Sequence, residues 1–116
     1  MSKGLSYKYS GTKGHIIATI GSLPINPNKL LAQGWEDVTH PQQKKQGHLE
    51  FKETATGLKI RFDKKVPGAK GFKSIDHYHV YNPHATGKKD LYLDKNANPV
   101  RRGAGKSHIL PKGDEQ

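Results

Sequence analysis

Apolar and polar residues alternate strictly in two neighbouring segments of the chain, residues 48–52 and 58–63. A period of two is that of a β-strand, in which successive side chains point to opposite faces. The five residues between them end in Gly57, and glycine is favoured in short hairpin connections. The two segments therefore predict a β-hairpin with one apolar and one polar face.

Two later segments extend this hairpin into a sheet. Residues 74–81 and residues 90–94 are both strand-like, and each is followed by a turn containing Asn and Pro. Ile75 is out of phase with the apolar Tyr78 and Val80, so a bulge or a late strand start is needed there. These segments favour an antiparallel meander.

The first forty residues are expected to contain a short helix between two further strands. Asn26, Pro27 and Gly34 are the cap, first-turn proline and end glycine of a short helix. Residues 15–20 (HIIATI) predict a strand more simply than a helical turn, residues 35–39 a strand, and residues 42–47 a polar loop. The expected class is α+β: a small twisted antiparallel sheet of four to five strands, with one or two short N-terminal helices packed on one face.

A length of 116 residues suits one domain with a modest core. We expect a linker-like segment over residues 1–14, the domain over residues 15–111 and a polar tail over residues 112–116. No apolar run approaches the roughly 20 residues that cross a bilayer, so no membrane anchor is expected in this segment. The absence of cysteine excludes disulfide scaffolds, zinc ribbons and thiol nucleophiles.

The charge balance points to a polyanionic partner. The chain has 20 Lys and Arg against 10 Asp and Glu, a formal net charge of +10. Such an excess creates a surface that attracts phosphates, and nucleic acid is the obvious polyphosphate. The competing explanation is that the excess of basic residues only keeps the protein soluble. The placement of arginine and histidine has to decide between solubility and phosphate binding.

The polar face of the predicted sheet carries groups suited to cleaving RNA. That reaction needs a base for the ribose 2′-hydroxyl, an acid for the leaving 5′-oxygen and a cation for the charge on phosphorus. Histidine can serve in either proton-transfer role near neutral pH. The expected catalytic residues on this face are His77, His79, Arg61, Glu50 and Tyr81.

Further candidates lie in the glycine-rich tail and beside the strands. His108 precedes an apolar pair that could form a last strand and bring its imidazole to the same face. The expected substrate-binding cations are Lys59, Lys73, Arg101, Arg102 and Lys106.

Two alternatives stay open. His77 and His79 have the i, i+2 spacing of some metal sites, with Asp76 beside them, so a metal-dependent DNase is conceivable. The turn-like residues 82–89 lack the helix of the ββα metal nucleases, and the sequence favours a site without metal or other cofactor. A non-catalytic RNA-binding module is the second alternative, in which the histidines would be incidental.

Five ordered segments carry a resemblance to a known group. They are GWEDVTHP at residues 34–41, RFDK at 61–64, DHYHVYNP at 76–83, YLDKN at 92–96 and SHI at 107–109. Together they resemble the C-terminal toxin domains of bacterial polymorphic toxins of the Rhs, contact-dependent inhibition and LXG types. Many such domains are metal-independent ribonucleases of the barnase, EndoU, colicin and RelE group.

The resemblance implies a secreted antibacterial effector that ends a larger protein and acts in the cytoplasm of a target cell. It implies an endoribonuclease that cleaves RNA, with tRNA as the expected substrate, and leaves a cyclic phosphate. It also implies a cognate immunity protein, expected to be acidic because it would cover a basic cleft.

Overall fold

The computed structural model describes residues 7–112. Its centre is a six-stranded antiparallel sheet whose spatial order follows the chain. The strands are β1 Trp35–Asp37, β2 His48–Glu53, β3 Lys59–Asp63, β4 His77–Tyr81, β5 Tyr92–Leu93 and β6 Pro99–Val100. The helices are α1 Lys13–Ile20 and α2 Pro41–Lys45, with 3₁₀ segments at Pro27–Gln33, Gly71–Ser74, Lys88–Asp90 and Gly105–Ser107. The α+β class is confirmed, with six strands rather than four or five.

The strand predicted over residues 15–20 is wrong, because these residues lie in α1. The helix begins where the Thr12 hydroxyl accepts a hydrogen bond from the backbone N–H of His15 at 3.0 Å. Ile16 and Ile20 are buried four residues apart, whereas Ile17 is 42% exposed. That spacing buries one stripe of a helix, and it outweighs the β preference of the isoleucines.

The polar loop predicted over residues 42–47 is also wrong in part, because α2 extends to Lys45. Pro41 occupies the first turn, and the His40 imidazole accepts from the backbone N–H of Gln42 at 3.2 Å. The Gln43 side chain accepts in return from the His40 N–H at 2.9 Å. Together these bonds satisfy donors that a helix start leaves unpaired, so a polar segment still becomes helical.

The central hairpin has the predicted faces. Leu49 lies opposite Phe62 and Phe51 opposite Ile60, and Phe51 and Ile60 are almost completely buried in the core. On the other face, His48 lies opposite Asp63 and Glu50 opposite Arg61. The alternation therefore fixes which residues meet across the strands.

Strand β4 begins later than the predicted residue 74. Residues up to Ser74 form a 3₁₀ turn, and Ile75, expected in the core, is 40% exposed. Because β4 starts at His77, Ile75 lies outside the strand and need not alternate in phase with Tyr78 and Val80. Tyr78 then points into the core. Its ring packs edge-on against Phe62 at 5.1 Å, and its hydroxyl donates to the Pro24 carbonyl at 2.7 Å.

The C-terminal segment adds to the sheet through a single pair of residues. Ile109 and Tyr78 exchange two backbone hydrogen bonds of 2.8 Å and form an antiparallel bridge. Ile109 is buried in the core. Since neighbouring residues of an extended segment face opposite ways, His108 is brought to the polar face.

The described part of the linker-like segment packs on the domain. The Tyr7 hydroxyl donates to the Tyr81 carbonyl at 2.9 Å, and the backbone N–H of Ser10 donates to the Thr56 carbonyl at 2.9 Å. The rest of that segment, residues 1–6, and the polar tail after Lys112 lie outside the described residues. Between residues 7 and 112 no helix has the length and apolar character needed to cross a membrane.

Candidate functional site

A cavity of about 500 Å³ opens on the polar face of the sheet. Its floor is formed by ionisable side chains from β2, β3, β4 and the C-terminal segment, and its rim by cationic, aromatic and apolar residues. The floor residues are His48, Arg61, Asp63, His77, His79 and His108, and the rim includes Lys64, Val66, Phe72, Lys73, Tyr92 and Arg102.

Strand register explains how this floor is assembled. Asp63 of β3 lies between His48 of β2 and His77 of β4, and Arg61 lies opposite His79. Residues two apart on one strand share a face, so these five side chains form two adjacent cross-strand rows. The hairpin pattern and the His-x-His pattern of the sequence therefore converge on one surface.

Asp63 is the centre of the floor and is only 7% exposed. Arg61 donates to it twice, from Nε to Oδ1 at 2.8 Å and from Nη2 to Oδ2 at 2.9 Å. His48 Nδ1 lies 2.8 Å from Oδ1. His77 Nε2 and His79 Nε2 lie 3.3 Å and 3.4 Å from Oδ2. One carboxylate thus faces four cationic or potentially cationic groups.

The electrostatic balance keeps Asp63 ionised. Burial on its own would raise the pKa of this carboxyl, but His77, His79 and the Arg61 guanidinium together hold the pKa far below its usual range. Burial likewise opposes the charge of Arg61, yet the bidentate contact with Asp63 raises the arginine pKa above its usual value. Arg61 and Asp63 therefore form an ion pair at neutral pH.

Three imidazole rings pack together beside the Arg61–Asp63 pair. The ring centroids of His77 and His79 are 5.0 Å apart, and His108 lies 4.8 Å from each of them. Phe72 stacks on His108 at 4.0 Å with the planes 10° apart, and Tyr92 stacks on His79 at 4.6 Å. Aromatic packing from both sides fixes the rings in place.

The two histidines of β4 are shifted in opposite directions. For His77, burial disfavours the imidazolium, but Asp63 and the Ile75 carbonyl outweigh it, so the pKa is raised above the ordinary histidine value. For His79, burial together with the positive charges of Arg61 and His77 outweighs Asp63 and lowers the pKa. Paired groups with divided pKa values are the arrangement used by acid–base catalysts.

The ring nitrogens differ in what they can still bind. His77 Nδ1 donates to the Ile75 carbonyl at 3.0 Å, and His108 Nδ1 donates to the Gly105 carbonyl at 3.0 Å. In each ring this bond fixes a hydrogen on Nδ1, so any further contact of the ring in the cavity is made by Nε2. His79 Nδ1 is buried with no hydrogen-bond partner among residues 7–112. A buried polar atom without a hydrogen-bond partner is costly, and a catalytic role is one explanation for it.

Three imidazoles form a candidate metal-binding group. One nitrogen each from His77, His79 and His108 lie within 4.8 Å of one another. Imidazole nitrogens suit zinc, copper and nickel better than magnesium. Asp76, grouped with His77 and His79 in the metal alternative, instead accepts from the Lys65 backbone N–H at 2.7 Å. The histidine that joins the pair is His108.

Glu50 and Tyr81 lie in an adjoining cavity of about 370 Å³, together with Lys59. The Tyr81 hydroxyl donates to the Glu50 carboxylate, and burial with that contact raises the tyrosine pKa well above its usual value. Arg61, Tyr92 and Arg102 line both cavities. The predicted catalytic residues are thus divided between two connected spaces.

The predicted substrate-binding cations are distributed unevenly. Lys73 and Arg102 line the histidine cavity, and Lys59 lines the adjoining one. Lys106 instead lines a third cavity of about 640 Å³, which His108 also lines. Arg101 is exposed and lines neither of the first two cavities.

Sequence reasoning did not select six residues of this floor and rim: His48, Asp63, Lys64, Val66, Phe72 and Tyr92. Asp63 and His48 were on the predicted polar face, and the hairpin register that places them opposite each other was available as a signal. Phe72 had no such signal, because its position depends on the contact with His108. The sequence also underestimated burial, since His77 and His79 are only 5% and 4% exposed on a face expected to be solvated.

Comparisons of the chain with protein-family models, with curated proteins and with solved structures found no match, so its assignment depends on the geometry of this cavity.

Proposed function

We propose that this chain is an endoribonuclease that cleaves RNA by transfer to the ribose 2′-hydroxyl, without a metal ion. The observation that carries the proposal is the convergence of His77, His79 and His108 with the Arg61–Asp63 pair in one cationic cavity. Those are the groups that an imidazole-driven transesterification needs.

The reaction is balanced by two proton transfers. A basic imidazole removes the proton of the 2′-hydroxyl, and the 2′-oxygen forms a bond to phosphorus. The bond from phosphorus to the 5′-oxygen breaks, and an acidic group protonates that oxygen as it leaves. The products are a 2′,3′-cyclic phosphate and a free 5′-hydroxyl.

In this proposal the proton-transfer pair is His79 and His108, in place of the predicted pairing of His77 with His79 or Glu50. Their rings are 4.8 Å apart, and His108 is the less buried of the two, so a bound RNA meets it directly. The neutral form favoured at His79 suits the base, and His108 suits the acid. Both nitrogens of His77 face acceptors, Ile75 and Asp63, so His77 supplies positive charge.

Arg61 and the rim cations neutralise the phosphate. Asp63 fixes the guanidinium of Arg61 by two parallel hydrogen bonds, which gives it one orientation. Lys73 and Arg102 border the same cavity. In the adjoining cavity, Lys59 and the Glu50–Tyr81 pair are suited to contact the next nucleotide, with Glu50 as the alternative base.

The biological setting is proposed from the resemblance to polymorphic-toxin domains. In that setting the chain is the toxic end of a secreted bacterial effector, acts on RNA such as tRNA in a target cell, and is neutralised by an acidic immunity protein. The net charge of +10 supports both an RNA substrate and an acidic inhibitor.

The test is cleavage of total bacterial RNA and of plasmid DNA by the purified protein, each in EDTA and in divalent metal. We expect RNA cleavage in EDTA, with cyclic phosphate ends, and loss of cleavage in His79→Ala and His108→Ala. Binding without cleavage of either nucleic acid would contradict the catalytic proposal and leave an RNA-binding module.

A metal-dependent nuclease is the second candidate, because three imidazole nitrogens lie within 4.8 Å of one another. It predicts that EDTA abolishes cleavage and that zinc, rather than magnesium, restores it. Cleavage of DNA as well as RNA would favour this candidate, since DNA lacks the 2′-hydroxyl. The same assay therefore separates the two reactions.

A further inference from the structure

An exposed aromatic ring stands at the edge of the histidine cavity and has no part in the chemistry described above. Phe72 is 40% exposed, and its neighbour on the rim, Val66, is 51% exposed. Both line a cavity whose other walls are ionisable or polar. Apolar side chains left open beside a charged site indicate a ligand with an apolar surface of its own.

The ring is held in a fixed orientation. One face of Phe72 stacks on His108 at 4.0 Å with nearly parallel planes, and its edge approaches His77 at 6.3 Å. The loop that carries it is closed at its neck, where the Val66 N–H donates to the Lys73 carbonyl at 2.7 Å. The Lys65 N–H donates to Asp76 beside it at 2.7 Å. A stacking surface fixed in advance costs little entropy to use.

Cations flank this surface. Lys64 and Lys73 belong to the same loop, and Arg102 and Gly103 also line the cavity. A nucleotide presents an aromatic base and an anionic phosphate together, and such a site matches both. Proteins that bind single strands combine aromatic platforms with cationic grooves in this way.

We propose that Phe72 stacks an unpaired nucleobase of the RNA, next to the phosphate that lies over the imidazoles. This inference rests on the proposed ribonuclease function and extends it to a substrate class: single-stranded or looped RNA. A base within a duplex is already stacked on both sides and cannot reach the ring. Every base has an aromatic face, so we expect stacking on this ring to tolerate any base.

The experiment measures binding of a short 2′-deoxy oligonucleotide in EDTA, where 2′-hydroxyl transfer is impossible. The proteins are the wild type, Phe72→Ala, Phe72→Trp and the control Ile25→Ala, which removes another exposed apolar side chain outside the cavity. We expect Phe72→Ala to weaken binding roughly 5- to 150-fold, the range of one lost base stack. Phe72→Trp and Ile25→Ala should bind like the wild type.

A series of single-abasic oligonucleotides identifies stacking as the cause. Removing the base at one position should weaken binding to the wild type as much as Phe72→Ala does. When Phe72→Ala binds the oligonucleotide that lacks this base, the affinity should fall little further. In Phe72→Trp, the oligonucleotide should quench tryptophan fluorescence, and the oligonucleotide abasic at that position should not. Additive losses at every position, or equal affinity for a matched duplex, would overturn the proposal.

Failure of this inference is distinguishable from failure of the proposed function. If Phe72 only positions His108, then Phe72→Ala lowers kcat for RNA while oligonucleotide affinity stays unchanged, which contradicts the stacking platform and leaves the ribonuclease intact. If the wild type cuts no RNA yet binds the oligonucleotide through Phe72, the platform is retained and the catalytic proposal fails.

Discussion

Arg61 and Asp63 lie two residues apart on the same strand and are joined by two parallel hydrogen bonds of 2.8 Å and 2.9 Å. The same carboxylate has His48, His77 and His79 within 3.4 Å. Three of the candidate catalytic residues, Arg61, His77 and His79, lie against this one buried carboxylate. The organisation of the cavity therefore depends on one buried negative charge.

Asp63→Asn should be both less stable and less active. The amide keeps the shape but removes the charge that offsets Arg61 and His77, and breaking a buried pair costs about 3 kcal/mol or more. Thermal or urea unfolding measures the loss. Asp76→Asn is the matched control, because Asp76 precedes β4 and contacts only the loop backbone at Lys65 among the bonds described. Equal stability of the two variants would contradict the central role of Asp63.

His108→Ala should lose catalysis without losing the fold. A positioned proton donor typically contributes about 10² to 10⁴ in rate, so kcat for RNA should fall by that factor. The partly exposed ring is not part of the core, and the melting temperature should change little. His84→Ala removes an exposed imidazole outside the histidine cavity and should cleave like the wild type.

Lys73→Ala and Arg102→Ala should each change the salt dependence of RNA binding. For single strands the slope of log affinity against log salt is about −0.7 for each phosphate neutralised, so each variant should flatten it by about 0.7. Affinity measured across a salt series gives the slope. Lys13→Ala, in α1 outside both cavities, should leave the slope unchanged. A parallel change in that control would indicate diffuse attraction by net charge.

Asp37→Asn should lower stability at neutral pH and lose its effect in acid. Slight burial would raise the pKa of Asp37, but the Thr39 hydroxyl, the Thr39 N–H and Lys44 lower it below the usual value. A carboxyl with a depressed pKa in the folded state stabilises the protein above its unfolded pKa, about 4. That contribution disappears as pH falls through the folded value.

The measurement for Asp37 is the melting temperature of wild type and variant from pH 7 down to about 2. Because the side chain is largely exposed, the loss near neutral pH should not exceed about 1 kcal/mol. Glu36→Gln removes a charge from the adjacent residue of β1 and should show no comparable difference. A difference that persists unchanged in acid would contradict the explanation.

The polar face could be read from sequence because strand alternation is a local property. The positions of His48, Glu50, Arg61 and Asp63 follow from one hairpin register. Residues 15–20 show the limit of such reasoning, since an apolar run of six has no period that separates a strand from a helix. Its helical state depends on the Thr12 cap and on burial of Ile16 and Ile20 against the sheet.

The rest of the site depends on contacts distant in sequence. His108 reaches the imidazole cluster because Ile109 bridges Tyr78, a pairing that no local pattern encodes. The burial of His77 and His79 has the same origin, because Phe72 and His108 pack over them. Alternation can assign a side chain to a face, but what later covers that face is a tertiary property.

The order of the six strands has a consequence for how the molecule acquires its cavity. Each strand pairs with the next one along the chain, so the meander can form through a series of short loop closures, which are the rapid steps of folding. The bridge between Tyr78 and Ile109 closes a longer loop, and the contact between Pro24 and Lys112 closes most of the chain. His108 is next to Ile109, so among the histidines of the cluster it is the one whose position depends on the longer closure.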